Sequence, residues 1–546
     1  MGAAPSSQYD PERKLWSGPD LQLQLFHPNV SMGQVLYQRI RINPKNVIQI
    51  CDSEGITFTN EQVLSMSVKV ALSLMDLNLK QSDIIGIMSS NTSYLMPLAY
   101  GSLFASIPFH PADVNFDKEM VLHCWSKSRP KVLFCDGSVY DLVKEVAHEL
   151  KLDAPIYILK DRIEGVNHIE DMFGERGFQE TFFRPPALNE NEDQTALILC
   201  SSGSTGLPKA VTLSHKYVKT VAALFFDTCE DVSLTFSSLF WVSGLNSLIN
   251  TAMTGATRLV TCDTFNPELC LHLVDKYKVT KAFFVPRHLA GMNNSPDRKT
   301  KSLKSITGIF SSGAKIPDET LKDFKELLNP QCIFIQGFAC TEKGAITTNF
   351  FGKYPDSCGT VLPSVQVQIK DDNGNPLGPN EDGEIVTRNF IPWKGYYNDE
   401  EATKEIYDKE TDWYRTGDLG HFDDEGNLFI VDRIKEIMKC KGYHISPTEI
   451  ENHITKLPQV SEVCVVGIPD VHTINLPAAL VIKTSGSKIS EEDIFKHVSE
   501  AMPHFKHLTG GVYFVGEIPR TISGKLMRRK ARDLVEELYK ERFGGN

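Results

Sequence analysis

The stretch "TALILC" (Thr195–Cys200) runs directly into "SSGSTGLPKAVTLSH" (Ser201–His215). The first run has the unbroken apolar character of a buried strand, and "AVTLSH" is again extended. Between them lie the groups that a phosphate asks for. Gly203 and Gly206 let the backbone approach a ligand closely. Ser201, Ser202, Ser204 and Thr205 offer hydroxyls, and Lys209 adds a cation. The common nucleotide-binding loop runs strand–loop–helix, so that a helix N-terminus faces the phosphate. This segment predicts strand–loop–strand. Its composition leaves two alternatives: a plain Ser/Gly turn, or a hairpin that folds over a triphosphate.

Upstream, short apolar runs alternate with helical patterns. "VIQICD" (Val47–Asp52) reads as a strand with a turn at Ser53-Glu54-Gly55. Thr59 and Gln62 form a capping box for a helix carrying Val63, Met66, Val70, Leu74 and Leu77 at helical spacing. "DIIGIM" (Asp83–Met88) and "KVLFCDGS" (Lys131–Ser138) are further strands. Such alternation predicts an α/β fold with largely parallel sheets. The last hundred residues differ. "NLFIVDR", "VSEVCVVGIPD", "LPAALVIK" and "GVYFVGEIP" are four strand-like runs with two helices among them, a compact α+β module. One helix starts at Ser446, with Pro447 at its first position and Glu449 placed to reach back to the cap amide. The charged run "DRIKE" (Asp432–Glu436) is the natural hinge.

The chain has 546 residues, too many for one ordinary core. Its formal net charge of -12 comes without a long basic block, which argues against nucleic acid as a partner. The 12 cysteines are scattered, with no C-x-x-C, and read as reduced thiols of a cell interior. No run approaches the ~20 apolar residues of a transmembrane helix, and the first residues have no secretory core. Gly2 and Ser6 fit the loose M-G-x-x-x-S myristoylation pattern, although an unmodified end is the favoured reading. The terminal Gly544-Gly545-Asn546 is not a peroxisomal S-K-L. An intracellular location, cytoplasmic or peroxisomal, is expected.

Three further motifs accompany the loop: "QGFACTEKG" (Gln336–Gly344), "YRTGDLG" (Tyr414–Gly420) ahead of "DEGNLFIVDRIKEIMKCKGYHISPTEIE", and "PRTISGKLMRRK" near the end. In order and spacing the chain resembles the adenylate-forming superfamily along nearly its whole length, and within it the insect luciferase-like acyl-CoA synthetases. The resemblance implies a large N-terminal domain of layered α/β subdomains (residues 1–432), a hinge (433–436) and a small mobile α+β C-terminal domain (437–546). It implies ATP, Mg²⁺ and coenzyme A as cofactors and a small carboxylic acid as substrate. The acid is expected to be a medium- or long-chain fatty acid. The alternatives are a luciferase-type monooxygenase and a 4-coumarate-type aryl acid ligase. By the same resemblance, Ser201–Gly206 and Lys209 clasp the β- and γ-phosphates, Phe338 lies against adenine, and Gly337 is a further cofactor-binding residue. Thr341 touches the α-phosphate, Glu342 holds Mg²⁺, and Asp418 and Arg433 bind the ribose. Lys525 bridges the incoming carboxylate and the α-phosphate. Lys435 is the hinge residue, and Lys439 and Gly442 serve the second half-reaction.

The sequence also departs from the family pattern. In "SLFWVSGLNS" (Ser238–Ser247), Phe240 and Trp241 stand where many relatives carry histidine. Trp241 resembles a gating aromatic for an alkyl chain, with a plain core tryptophan as the rival reading. Phe338 keeps a stacking face without tyrosine's hydroxyl. Ala339 replaces a glycine and is expected to add a methyl to the acyl pocket. "SSGAKIP" (Ser311–Pro317), with Gly313, matches the strand-edge motif in part. The missing histidines tell against light emission.

Overall fold

A computed structural model describes residues 7–20, 26–201, 208–222, 227–314, 316, 318–350, 356–440, 443–470, 472–520 and 526–543. The chain divides into two compact units. One comprises Met1–Gln8, Ser17–Gln366 and Thr387–Tyr414; the other comprises Tyr9–Trp16, Val367–Val386 and Arg415–Asn546.

The first unit holds two sheets with helices packed on them, as the alternating pattern predicts. In the seven-stranded sheet, Thr195–Ser201, Phe109–Ala112, Ile85–Met88, Val132–Asp136 and Ile156–Lys160 run parallel in that order. Lys209–Ser214 closes one edge antiparallel to Thr195–Ser201. The nine-stranded sheet has a parallel centre, from Ile333–Cys340 through Gly308–Ser311, Lys281–Phe283, Val232–Thr235 and Thr257–Val260 to Val47–Cys51. Antiparallel hairpins finish both of its ends. Thr59 and Gln62 cap the helix Asn60–Asp76 reciprocally, and Val63, Val70 and Leu74 are buried. The helix Leu95–Phe104 is buried on every side, so it carries no polar stripe to read.

The second unit has two sheets. A five-stranded sheet is formed by Tyr443–Ile445, Met438–Cys440, Ile474–Lys483 and Val460–Asp470, with Gly511–Phe514 parallel to Ile474–Lys483. Its two faces separate by strand alternation. Val463 and Val465 pack with Ile450 and Ile494, while Cys464 and Val466 pack with Ala531 and Val535. The helices are Pro447–Ile454, Glu491–Ala501 and a third, Arg528–Phe543, beyond the two expected. The "NLFIVDR" run is a strand (Leu428–Arg433), but it belongs to the other sheet. A tight turn at Asp423–Gly426, held by the Asp423 carboxylate on the Glu425 and Asn427 amides, pairs it with Tyr414–Phe422. Leu15–Ser17 joins the same sheet, and Trp16 stacks on Phe422 at 4.5 Å.

Ser446 caps the helix from Pro447 as expected, accepting from the Glu449 amide at 3.2 Å. Glu449 does not return to the cap. The Lys506 ammonium draws its carboxylate outward, at 2.5 and 2.6 Å. The segment 433–436 is a short 3-10 turn, Ile434–Glu436, lying wholly within the second unit.

Candidate active site

The loop is strand–loop–strand. Ser201 and Lys209 are opposed residues of the antiparallel pair Thr195–Ser201 and Lys209–Ser214, so the ladder ends where the loop starts. Ser202, Gly203, Ser204, Thr205 and Gly206 lie outside the described residues, as do Gly442 and Lys525.

Glu342 sits at the tip of another hairpin. Ile333–Cys340 and Gly344–Phe350 are joined by Thr341-Glu342-Lys343, with Cys340 opposite Gly344. Gly344 has φ +77°, the left-handed conformation that closes such a three-residue loop. The carboxylate of Glu342 accepts from Tyr396 Oη at 2.9 Å, and the residue is only 5% exposed. Tyr396 is fixed from several directions. Its amide donates to Thr403 Oγ1 at 2.9 Å, its backbone bridges Val211, and Trp393 packs edge-on against its ring. Trp393 Nε1 donates to the Thr212 carbonyl at 3.1 Å, and Thr212 Oγ1 donates to the Gly395 carbonyl at 2.6 Å. The strand leaving the loop is thereby tied to the segment that carries Tyr396. Lys209 Nζ stands 4.9 Å from the centre of the Tyr396 ring.

Burial and the neighbouring Glu342 push the Tyr396 phenol above its ordinary range, with a bond from Ser201 offsetting part of this. Tyr396 therefore stays protonated and stays a donor. A cavity of about 10 Å³ lies behind Glu342, lined by Thr212, Ser214, Tyr217 and Trp393 among others. Lys343 turns away. Its ammonium lies 4.6 Å from the Tyr407 ring centre, and burial pulls it down to about 8. No basic side chain pairs with Glu342 among the described residues. A buried carboxylate with one phenol donor and no internal cation is a hard oxygen ligand suited to a divalent ion, so the donor chemistry fits Mg²⁺.

The neighbouring motifs meet at the same hairpin. Ser312 Oγ donates to the Gly337 carbonyl at 3.0 Å, linking "SSG" to "QGF". Gly313 is exposed at φ +97°. Gly337 is buried, Phe338 and Thr341 are half-buried, and Ala339 is exposed. Trp241 stands apart on another element, at the N-cap of the helix Val242–Thr254. It is half-buried, and Phe240 packs edge-on between it and Phe116.

In the second unit, Asp418 and Arg433 face each other across antiparallel strands. Arg433 Nε lies 2.6 Å from Asp418 Oδ1, with the aspartate side chain 8% exposed and the arginine 49%. Lys435 and Lys439 are exposed. Asp432, just before the 3-10 turn, accepts from Ser446 Oγ at 2.6 Å and from the Thr448 amide at 3.1 Å. That carboxylate anchors the strand end to the helix Pro447–Ile454. Sequence reasoning missed Tyr396, and it read Asp432 only as the start of the charged hinge run. The one local signal for Tyr396 was a tyrosine pair placed between Gly395 and Asn398.

Residues 36–397 match the family model described as AMP-binding enzyme, and residues 449–525 match that of the AMP-binding enzyme C-terminal domain. The chain belongs to the AMP-binding, adenylate-forming family. A luciferin 4-monooxygenase of Photuris pensylvanica is 31% identical over 497 residues, covering 87% of this chain and 90% of that one. The 4-coumarate–CoA ligase 1 of Petroselinum crispum is 32% identical over 494 residues, covering 88% and 89%. Among solved structures, ATP-bound MatB from Rhodopseudomonas palustris shares the fold with TM-score 0.80 at 21% identity, covering 94% of this chain and 100% of that one. The family membership accounts for the order of the four motifs. No helix among the described residues is long and apolar enough to cross a membrane.

Proposed function

We propose that the protein is an ATP- and Mg²⁺-dependent acid–CoA ligase acting on a medium- or long-chain fatty acid. The observation that carries this reading is the assembly of Lys209, Tyr396 and Glu342: a cation over the tyrosine ring beside the loop, and a buried carboxylate bonded to its hydroxyl with no basic partner among the described residues. In the first half-reaction a substrate carboxylate attacks the α-phosphate of ATP and pyrophosphate leaves. Ser201–Gly206 and Lys209 hold the departing phosphates, and Thr341 donates to the α-phosphate. Glu342 would hold Mg²⁺, which would supply positive charge to offset that developing on the phosphates. Lys525 is assigned the role of bridging the two anions that must meet. Gly337 and Phe338 take the adenine, and Asp418 and Arg433 take the ribose.

In the second half-reaction the thiol of coenzyme A attacks the acyl carbonyl and AMP leaves. Residues 433–436 act as the hinge between residues 1–432 and 437–546, with Lys435 absorbing the rotation and Lys439 and Gly442 serving this step. Phe240 and Trp241 in place of histidine support an alkyl chain as substrate, with Gly313 and Ala339 lining the same pocket. The test is pyrophosphate release from ATP, Mg²⁺ and a panel of acids, with and without coenzyme A. Acyl-CoA from fatty acids is expected. Turnover only with cinnamic-type acids, or light with a luciferin, would replace the substrate assignment. No pyrophosphate with any acid would refute the ligase reading.

A further inference from the structure

A second group of reactive side chains lies away from the Glu342 hairpin, at the carboxyl ends of two neighbouring parallel strands. Cys51 is the last residue of Val47–Cys51, and its registered partner on Thr257–Val260 is Val260. Cys262 follows two residues later. Its amide donates to Ser53 Oγ at 2.9 Å, which holds the chain back toward the first strand. Glu54 comes from the turn after Cys51. The two sulfurs and a Glu54 carboxylate oxygen all lie within 4.8 Å of one another. A fourth donor completes the group: the main-chain carbonyl oxygen of Asn91 is 3.8 Å from Cys51 Sγ and 3.7 Å from Cys262 Sγ.

These distances carry chemical information. A tetrahedral ion with metal–sulfur bonds of about 2.3 Å separates its ligand atoms by about 3.8 Å. We propose that Cys51, Glu54, Cys262 and the Asn91 carbonyl form a binding site for one thiophilic metal ion, of which Zn²⁺ is the type. The surroundings suit that role. Glu54 is aimed by the Ser93 amide (2.7 Å), Ser93 Oγ (2.5 Å) and Thr92 Oγ1 (2.9 Å), the kind of outer hydrogen bonding that orients a ligating carboxylate. The Lys160 ammonium acts electrostatically on Cys262 and Glu54, which favours a site carrying two thiolates and a carboxylate. Cys51 is fully buried, whereas Glu54 and Cys262 are half-buried and leave a way in for the ion.

The site also has a connection. The Asn91 side-chain amide donates to the Ser237 carbonyl at 3.1 Å and the Phe236 carbonyl at 3.4 Å, just before the segment that carries Phe240 and Trp241. An ion on the Asn91 carbonyl would stiffen that approach. The binding itself does not depend on the ligase reading.

The test uses the full chain, reduced and stripped with a chelator, then titrated with Co²⁺. One equivalent should give the ligand-field bands of tetrahedral Co²⁺ with a thiolate charge-transfer band, and Zn²⁺ should abolish both. The spectrum should vanish in the double variant Cys51→Ser/Cys262→Ser and persist in Cys124→Ser. Glu54→Gln keeps both thiols, so it should retain the charge-transfer band and bind Co²⁺ at least ~10-fold more weakly. Bands that survive in the double variant, or a purely octahedral spectrum, would overturn the proposal. So would a folded, reduced protein that takes up no Co²⁺ and instead yields a Cys51–Cys262 disulfide with peroxide, each thiol giving up one hydrogen and the peroxide leaving as water.

Discussion

Glu342 in the first unit and Glu451 in the second are nearly equally hidden, 5% and 8% exposed, yet their partners differ in charge. Glu451 is clamped by Arg528 through both oxygens and accepts from the Val465 amide at 2.7 Å. Arg528 also pairs with Glu436 at 2.7 Å. Burial alone would pull the Arg528 guanidinium down; the Glu451 hydrogen bonds override this and hold it well up. Glu342 has a neutral phenol instead. A carboxylate neutralised within the chain serves the fold, whereas one without a basic partner among the described residues fits the proposed role, in which a cation arrives with the substrate.

The largest expected effect tests the structural half of that contrast. Arg528→Met leaves Glu451 and Glu436 without the cation they share. It should destabilise the protein by about 3–5 kcal/mol, read as a lower urea midpoint. An unchanged midpoint would erase the distinction between the two glutamates. Next, Lys525→Ala should slow adenylation by about 10²–10³, or about 3–4 kcal/mol, while thioester formation from supplied acyl-adenylate survives. Equal losses in both half-reactions would remove Lys525 from its assigned role.

Glu342→Gln should behave in the opposite way to Arg528→Met. Removing a buried charge that has no basic partner among the described residues should leave the melting temperature unchanged or raise it, while pyrophosphate release falls about 10²-fold and the Mg²⁺ requirement rises. A drop in stability like that of Arg528→Met would make Glu342 structural after all.

The effect that is smallest per pH unit concerns histidines of the first unit. His110, His215 and His288 are each lowered to about 3, mainly by burial. Between about pH 6.5 and pH 3 the unfolded imidazole binds a proton that the native one refuses. Stability therefore falls as pH falls through that window, by up to about 1.4 kcal/mol per pH unit for each histidine. His288 stacks on Phe265 with ring centres 3.8 Å apart, and both of its nitrogens are buried without a hydrogen-bond partner among the described residues. His288→Phe should reduce the acid slope of unfolding free energy by one histidine's share. An identical slope would show that His288 titrates normally.

Local pattern carried much of the fold. The capping box at Thr59, the buried strand before Ser201 and the extended run after Lys209 all depend on neighbours in sequence, and each stands as read. What was hidden depends on distant partners. Nothing near Tyr396 announces that its hydroxyl meets Glu342, because the pairing is made by two hairpin and strand contacts far apart in the chain. Glu449 had a plausible cap within reach, and only the fold brings up Lys506. The Leu428–Arg433 run looked like its C-terminal neighbours, since strand character does not say which sheet a strand joins.

The stacking of Trp16 on Phe422, beside Tyr9 at 4.7 Å, has a consequence for the order of synthesis. The strand Leu15–Ser17 leaves the ribosome early with only its neighbour Gln8–Asp10 to pair with; its other edge must wait until Val365–Lys370 has been made, and Trp16 must wait longer for Phe422. During translation the early segment is an apolar strand with an open edge, exposed to mispairing until its partner emerges. Holding that strand back with a chaperone, or adding it later as a synthetic peptide, becomes a practical handle on how the second unit is assembled.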